Sequence, residues 1–190
     1  MPRLPIATDR ESLSEVGRRV YDDVMSDRGE TIVGGRLPGP VAILMPYVPD
    51  IAGRISHVGT ALRFEVSLPP NIIELATITT ARGRDNAYVW AAHVPPALAA
   101  GVSDTTVEAV NKRAPLTSLG ADETIVVRFA RELIEDRKVS PEAFEAARRR
   151  FGDTGVMELT ALIGYYSMMT CILTAVDMEP RPIPTPLLLP

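Results

Sequence analysis

Apolar positions along this chain recur every three or four residues, and no run alternates with period two over the length of a strand, so the pattern predicts an all-α fold. Leu13, Val16, Val20 and Val24 mark a first helix over about 10–25, opening near Asp9. A loop follows over 28–39, then a short helix over 41–45 and, after Pro49, a longer one over 50–64. Pro69 and Pro70 open the next, 71–82, because the first helical turn has no use for the amide that proline lacks. Gly83, Arg84 and Asp85 break it, and Asp85 is placed to cap a helix over 86–100 that ends at Gly101; Ser103 caps another over 104–113. Two amphipathic helices come next, 122–137 with Ile125, Val126, Phe129, Ala130 and Leu133 on one side, and 141–151 after Ser140.

The last helix, 156–176, is apolar all round and nearly long enough to span a bilayer. Glu158, Thr160, Ser167, Thr170 and Thr174 recur through it and no Lys or Arg flanks its C-terminal end, so it is expected in a globular or oligomeric core, not a membrane. No internal repeat or linker divides the chain, which reads as one domain with its core over 39–176 and a proline-rich arm over 178–190. The arm either presents an extended polyproline segment to a proline-reading module or lies across its own or a neighbouring subunit, anchored by Ile183 and Leu187 to Leu189; the second is the favoured reading.

Composition narrows the class. The 190 residues carry 20 Lys+Arg against 24 Asp+Glu, a net −4, and only 5% are aromatic. Such a chain has neither the basic stripe nor the stacking surface of a nucleic-acid binder. The N-terminal stretch has prolines and charges but no apolar run of the secretory kind, and a cytoplasmic location is expected. Cys171 is the sole cysteine, which excludes an internal disulfide, a CxxC pair and a cysteine-based zinc site.

Chemistry concentrates around one of the two histidines. His57 reads as a structural or surface residue. His93 shares a helical face with Asn86, Val89 and Trp90, at spacings of seven, four and three, and is followed by Pro95 and Pro96, whose rings crowd the carbonyls of Ala91 and Ala92 and predict a kink or a freed carbonyl. Glu74 is the one acidic residue between Pro70 and Arg82 and sits among Ile73, Leu75 and Ile78. Counting about 1.5 Å per residue, Glu74 and His93 lie about 14 and 15 Å from the Gly83 break, so if the helices fold back there the two meet at one height. A buried carboxylate beside an imidazole serves either as a proton-transfer pair or as a structural hydrogen bond. Two histidines this far apart in sequence predict no metal site.

Residues 39–103 and 151–169 resemble the carboxymuconolactone decarboxylase family, which includes the alkyl hydroperoxidase D-like proteins. The resemblance rests on the Glu74-Leu75-Ala76 helix start, Trp90-x-x-His93, the Ala-x-x-Ala-Gly-Val-Ser segment that ends at Ser103, and the late Gly164-Tyr165-Tyr166. It implies an alkyl hydroperoxidase D-like helical domain that assembles as trimers or hexamers, with a pocket near subunit contacts. In the peroxidase branch a CxxC pair falls at the positions held here by Asn86 and Val89, so dithiol peroxidase chemistry is not expected. In the decarboxylase branch the second position is commonly a glutamate, and Val89 stands there instead. What remains implied is a cofactor-free lyase or isomerase that moves a proton next to a carbonyl of a small carboxylated catabolic intermediate. His93 is then the acid/base, Glu74 orients it, Tyr88 bonds the substrate and Trp90 lines the pocket. Asn86 adjoins the substrate, and Arg82 pairs with its carboxylate if it faces inward, a surface position being the favoured reading. The competing reading is a binding or assembly protein that has lost turnover on the same scaffold.

Overall fold

The computed structural model describes residues 2–7, 9–28, 37 and 39–180, and among these every regular element is helical. Most of the expected 28–39 loop, and the arm beyond Pro180, lie outside the described residues. In chain order the helices are α1 (Glu15–Arg28), α2 (Gly39–Leu44), α3 (Pro49–Phe64), α4 (Pro70–Gly83), α5 (Ala87–Ala99), α6 (Asp104–Asn111), α7 (Ala121–Arg131) and α8 (Pro141–Ala175). A 3-10 turn (Leu116–Ser118) precedes α7, and a π turn (Glu132–Asp136) prolongs it.

The described residues cluster into two compact units, one within Met1–Glu65 and Ile172–Met178, the other within Val66–Cys171 and Glu179–Pro190. In the first, α1 and α2 pack on α3 around Leu13, Val24, Val41, Met45 and Ala52. The crossing of α1 and α3 is close at Gly53, where a Cβ would lie 2.7 Å from Val20 Cγ1. Helix α1 begins five residues later than the apolar spacing predicts. Asp9 closes a local turn instead, accepting from Ser12 N at 2.8 Å, and Ser14 Oγ takes the cap role by accepting from Gly17 N at 3.1 Å. His57 pairs across to α1 through Nδ1 and Asp27 Oδ2 at 3.1 Å, with both side chains open to solvent.

In the second unit α4 is the central helix. It is buried continuously from Ile72 to Arg82 and packs against α5, α6 and α7. Burying Thr77, Thr79 and Thr80 in it leaves no orphan hydroxyl, because each donates to the carbonyl four residues back, at 2.9, 2.7 and 2.8 Å. The α4–α5 turn corrects the expectation in two ways. Asp85, at φ 47°, takes the left-handed position, and Asn86 is the N-cap, its side chain accepting from Val89 N. A Cβ at Gly83 would sit 3.2 Å from Ile134 Cγ2, a tight approach that a larger residue meets only if the isoleucine gives way. Ser103 caps α6 as expected. Helix α5 runs on through Pro95 and Pro96 to Ala99.

Helix α7 ends at Arg131, earlier than predicted, and the π turn carries the chain to a left-handed Arg137 at φ 57°. Asp122, in its first turn, accepts two hydrogen bonds of 2.7 Å from Arg150 of α8, and the Arg150 guanidinium holds its carboxyl below the usual carboxylate range. A carboxyl depressed in the folded state stabilises above its unfolded pKa, and that stabilisation fades as pH falls through the folded value. Both side chains are over two-fifths exposed, so solvent screening keeps the contribution small. Arg150→Ala is therefore expected to lower the melting temperature slightly at about pH 7 and not at all near about pH 2; a deficit unchanged in acid rules the ion pair out as its cause.

Helix α8 is broken at Gly152 (φ 73°, ψ 176°), so the two predicted helices are separate segments that meet at a left-handed glycine. Past the break, Val156, Leu159, Leu162, Ile163, Tyr166 and Met169 are buried, and Ser67 clasps Glu158 through its amide at 3.0 Å and its hydroxyl at 2.7 Å. The opposite face, Met157, Ala161, Gly164, Met168 and Cys171, is exposed. One face thus meets the expectation of a core helix within this chain. By length and composition α8 is apolar enough to cross a membrane, and 50% of its most apolar window is buried.

Candidate functional site

Helices α4 and α5 fold back on each other at the Asp85 turn, and His93 Nδ1 comes within 2.8 Å of Glu74 Oε2. The expectation from counting residues either side of the turn is met in register. The two side chains are 12% and 9% exposed, so the bond is largely shielded from solvent and correspondingly strengthened. An ionised carboxylate has only acceptor atoms, so the hydrogen it receives belongs to Nδ1, and neutral His93 keeps its lone pair on Nε2.

A third side chain completes the arrangement, one to which the sequence reading gave no role. The rings of Tyr166, on α8, and His93 meet edge-to-face with centroids 4.8 Å apart and planes at 81°. Tyr165 packs on Tyr166 in the same manner, at 5.3 Å and 90°. Both tyrosines are buried. The signal in the sequence was the Gly-Tyr-Tyr string, noted as part of the resemblance, with nothing in its spacing that ties it to His93.

The remaining residues singled out from sequence divide by what holds them. Tyr88 is buried at 9% exposure and Trp90 completely so. Asn86 is buried, its Oδ1 accepting from Val89 N at 3.0 Å, so the two positions that would carry thiols in a peroxidase are bonded to each other as a helix cap. Arg82 is not at the surface: it is buried, Nε donates to the Asn111 carbonyl at 2.6 Å, and Nη1 is paired with Asp85. That guanidinium joins α4 to the end of α6, and its exposed arginine neighbour Arg113 bonds the same Asp85. His57 belongs to the other unit, with Asp27. Among the described residues no group of three or more His, Cys, Asp or Glu side chains converges as a metal site would require.

Residues 49–132 match the sequence profile of the carboxymuconolactone decarboxylase family. Over that segment, a little under half of its length, the chain resembles the family. The segment matched to the decarboxylase family runs from α3 to the end of α7 and includes Glu74, Asn86, Val89 and His93, while Tyr166 lies beyond it. Solved structures give the same fold. One is the alkylhydroperoxidase AhpD core of an uncharacterized peroxidase-related protein from Ralstonia eutropha JMP134, with a TM-score of 0.72 at 17% identity over 95% of this chain and 92% of that one. Another is an alanine variant of the debrominase Bmp8 in complex with 2,3,4-tribromopyrrole, with a TM-score of 0.71 at 15% identity over 94% and 91%. No curated protein matches the chain in sequence.

Proposed function

We propose that this chain is a cofactor-independent lyase or isomerase that moves a proton next to a carbonyl of a small carboxylated intermediate, a lactone or a keto acid. The observation that carries the reading is the 2.8 Å contact between His93 Nδ1 and Glu74 Oε2 at a partly open position. His93 removes the proton through Nε2 and returns it to the adjacent carbon or to the carbonyl oxygen. Glu74 fixes the tautomer and balances the charge on the ring, and Tyr88 donates to the substrate oxygen. Trp90 supports the site from within the core, and Arg82 is left out of the binding set because its Nε and Nη1 are already engaged. The thiol chemistry of a peroxidase has no counterpart at Asn86 and Val89. The test is a screen of carboxylated lactones and keto acids for carbon dioxide release or solvent proton exchange, run beside His93→Ala. Turnover that survives intact in the variant removes His93 from the reaction.

The chain is further proposed to act as a homo-oligomer. Its support is the exposed face of α8, where Met157, Ala161, Gly164, Met168 and Cys171 follow one another at spacings of four and three with no charge among them. That spacing is the seam of a helix pair. Glutamate at Met157 and Met168 together is expected to shift the particle to smaller mass in light scattering with the helical content unchanged. A wild-type chain that runs as a monomer, or a double variant of unchanged mass, defeats the assignment of this face.

A further inference from the structure

Glu74 alone does not fix the aim of the His93 imidazole. One hydrogen bond at Nδ1 does not hold the imidazole in one plane, and a ring that tilts out of line weakens that bond and carries Nε2 with it. The Tyr166 ring closes this freedom. Its centroid lies 4.8 Å from that of His93 with the planes at 81°, within the edge-to-face range that aromatic pairs prefer. The brace is itself braced, because Tyr165 meets Tyr166 at 5.3 Å and 90°, and both rings are buried on a helix whose inner face is packed throughout.

We propose that Tyr166 is a positioning residue of the site, whose ring sets the plane of His93 and so the direction in which Nε2 presents its lone pair. The geometry divides the task between three helices: α5 supplies the imidazole, α4 accepts from its Nδ1 and α8 holds the plane in which that bond is made. The α8 contribution comes from outside the segment that carries the family match, so the site is incomplete without the Gly164-Tyr165-Tyr166 turn. The inference rests on the reading of His93 as the proton carrier, but it is testable without a substrate, because the chain holds only two histidines.

Nitrogen-15 NMR of histidine-labelled protein resolves both rings. In wild type, neutral His93 is expected as a single Nδ1–H species. Tyr166→Phe keeps the ring and is expected to leave that signature in place. Tyr166→Met keeps apolar bulk without a flat face and is expected to convert it to averaged tautomers, with helical circular dichroism and the emission of the buried Trp90 unmoved as the control for an intact fold. Should Tyr166→Met not fold, Tyr165→Met carries the same test through the brace and is expected to broaden the His93 resonances. A folded Tyr166→Met, or a folded Tyr165→Met in its place, that retains the single sharp Nδ1–H species overturns the proposal. So does a Tyr166→Phe that loses it, since the hydroxyl is then the operative group. Where a substrate is in hand, Tyr166→Met is expected to lower kcat about tenfold with KM nearly unchanged. Failure of the His93 reading appears instead as turnover surviving His93→Ala, whatever the spectra of the Tyr166 variants.

Discussion

His93→Ala is expected to lower turnover on a substrate found by the screen by about 10²- to 10⁴-fold, the usual contribution of a positioned acid/base group, with no comparable change in stability. The second half of that expectation follows from exposure. His93 is 12% exposed in its side chain, and its removal opens a notch at the surface of α5 instead of a sealed void. Glu74→Gln gives the graded comparison. The amide still accepts from Nδ1, but a bond to a charged acceptor is worth about 1.5–3 kcal/mol against about 0.5–1.5 for a neutral one. The loss is then of order 1 kcal/mol in the transition state, or roughly tenfold in rate. The order of effects, His93→Ala well beyond Glu74→Gln, is the signature of an imidazole that reacts and a carboxylate that steers. If Glu74→Gln abolishes turnover while His93→Ala leaves a substantial rate, the roles are reversed and the carboxylate is the base. If both variants keep the wild-type rate while losing stability, the pair is a structural hydrogen bond, and the binding or assembly reading takes its place.

The pairing of Glu74 with His93 was legible because it depends on little more than helix rise and the position of one turn. Both residues sit on helices whose ends are written in proline, asparagine and glycine, and an error of one residue at either end moves the meeting point by about 1.5 Å. The cap assignments were less secure for a physical reason: Asp85 and Asn86 are both competent caps and both tolerate left-handed backbone, so adjacency in sequence cannot say which takes which role. The same ambiguity shifted the start of α1 from Asp9 to Ser14. Arg82 illustrates a different limit. Its burial is decided by a carbonyl at Asn111 and a carboxylate at Asp85, and the first of these is nearly thirty residues away. Tyr166 shows the same limit at the site itself: its contact with His93 crosses from α8 to α5, and no periodicity within either helix encodes it. Local signals therefore supplied the elements and the one contact across a short turn, while long-range packing supplied the third member and the buried arginine.

Trp90→Ala is expected to destabilise the protein by about 3–5 kcal/mol, a large share of the roughly 5–15 kcal/mol that holds a typical domain folded. Trp90 is the largest of the fully buried side chains, at 0% exposure, and lies one helical turn before His93 on α5. Neighbours packed on every side cannot collapse fully into the space of an indole, so the cost combines lost apolar burial with the cavity that remains. Trp90→Phe keeps a ring and is expected to cost clearly less. The chain has one tryptophan, so the emission of wild type reports this position alone: a blue-shifted native band that moves to the red on unfolding, in step with loss of helical circular dichroism. The variants, which lack that emission, are followed by circular dichroism in urea, where the midpoint falls and the slope stays constant if only the folded state is weakened. A Trp90→Ala midpoint equal to that of wild type contradicts a packed indole. Trp90 would then be the wall of an open pocket, and its replacement would raise KM while leaving stability intact. The exposure of His93, set against the complete burial of Trp90 one turn away, places the boundary between core and site between these two residues, with the catalytic effect expected at one and the stability effect at the other.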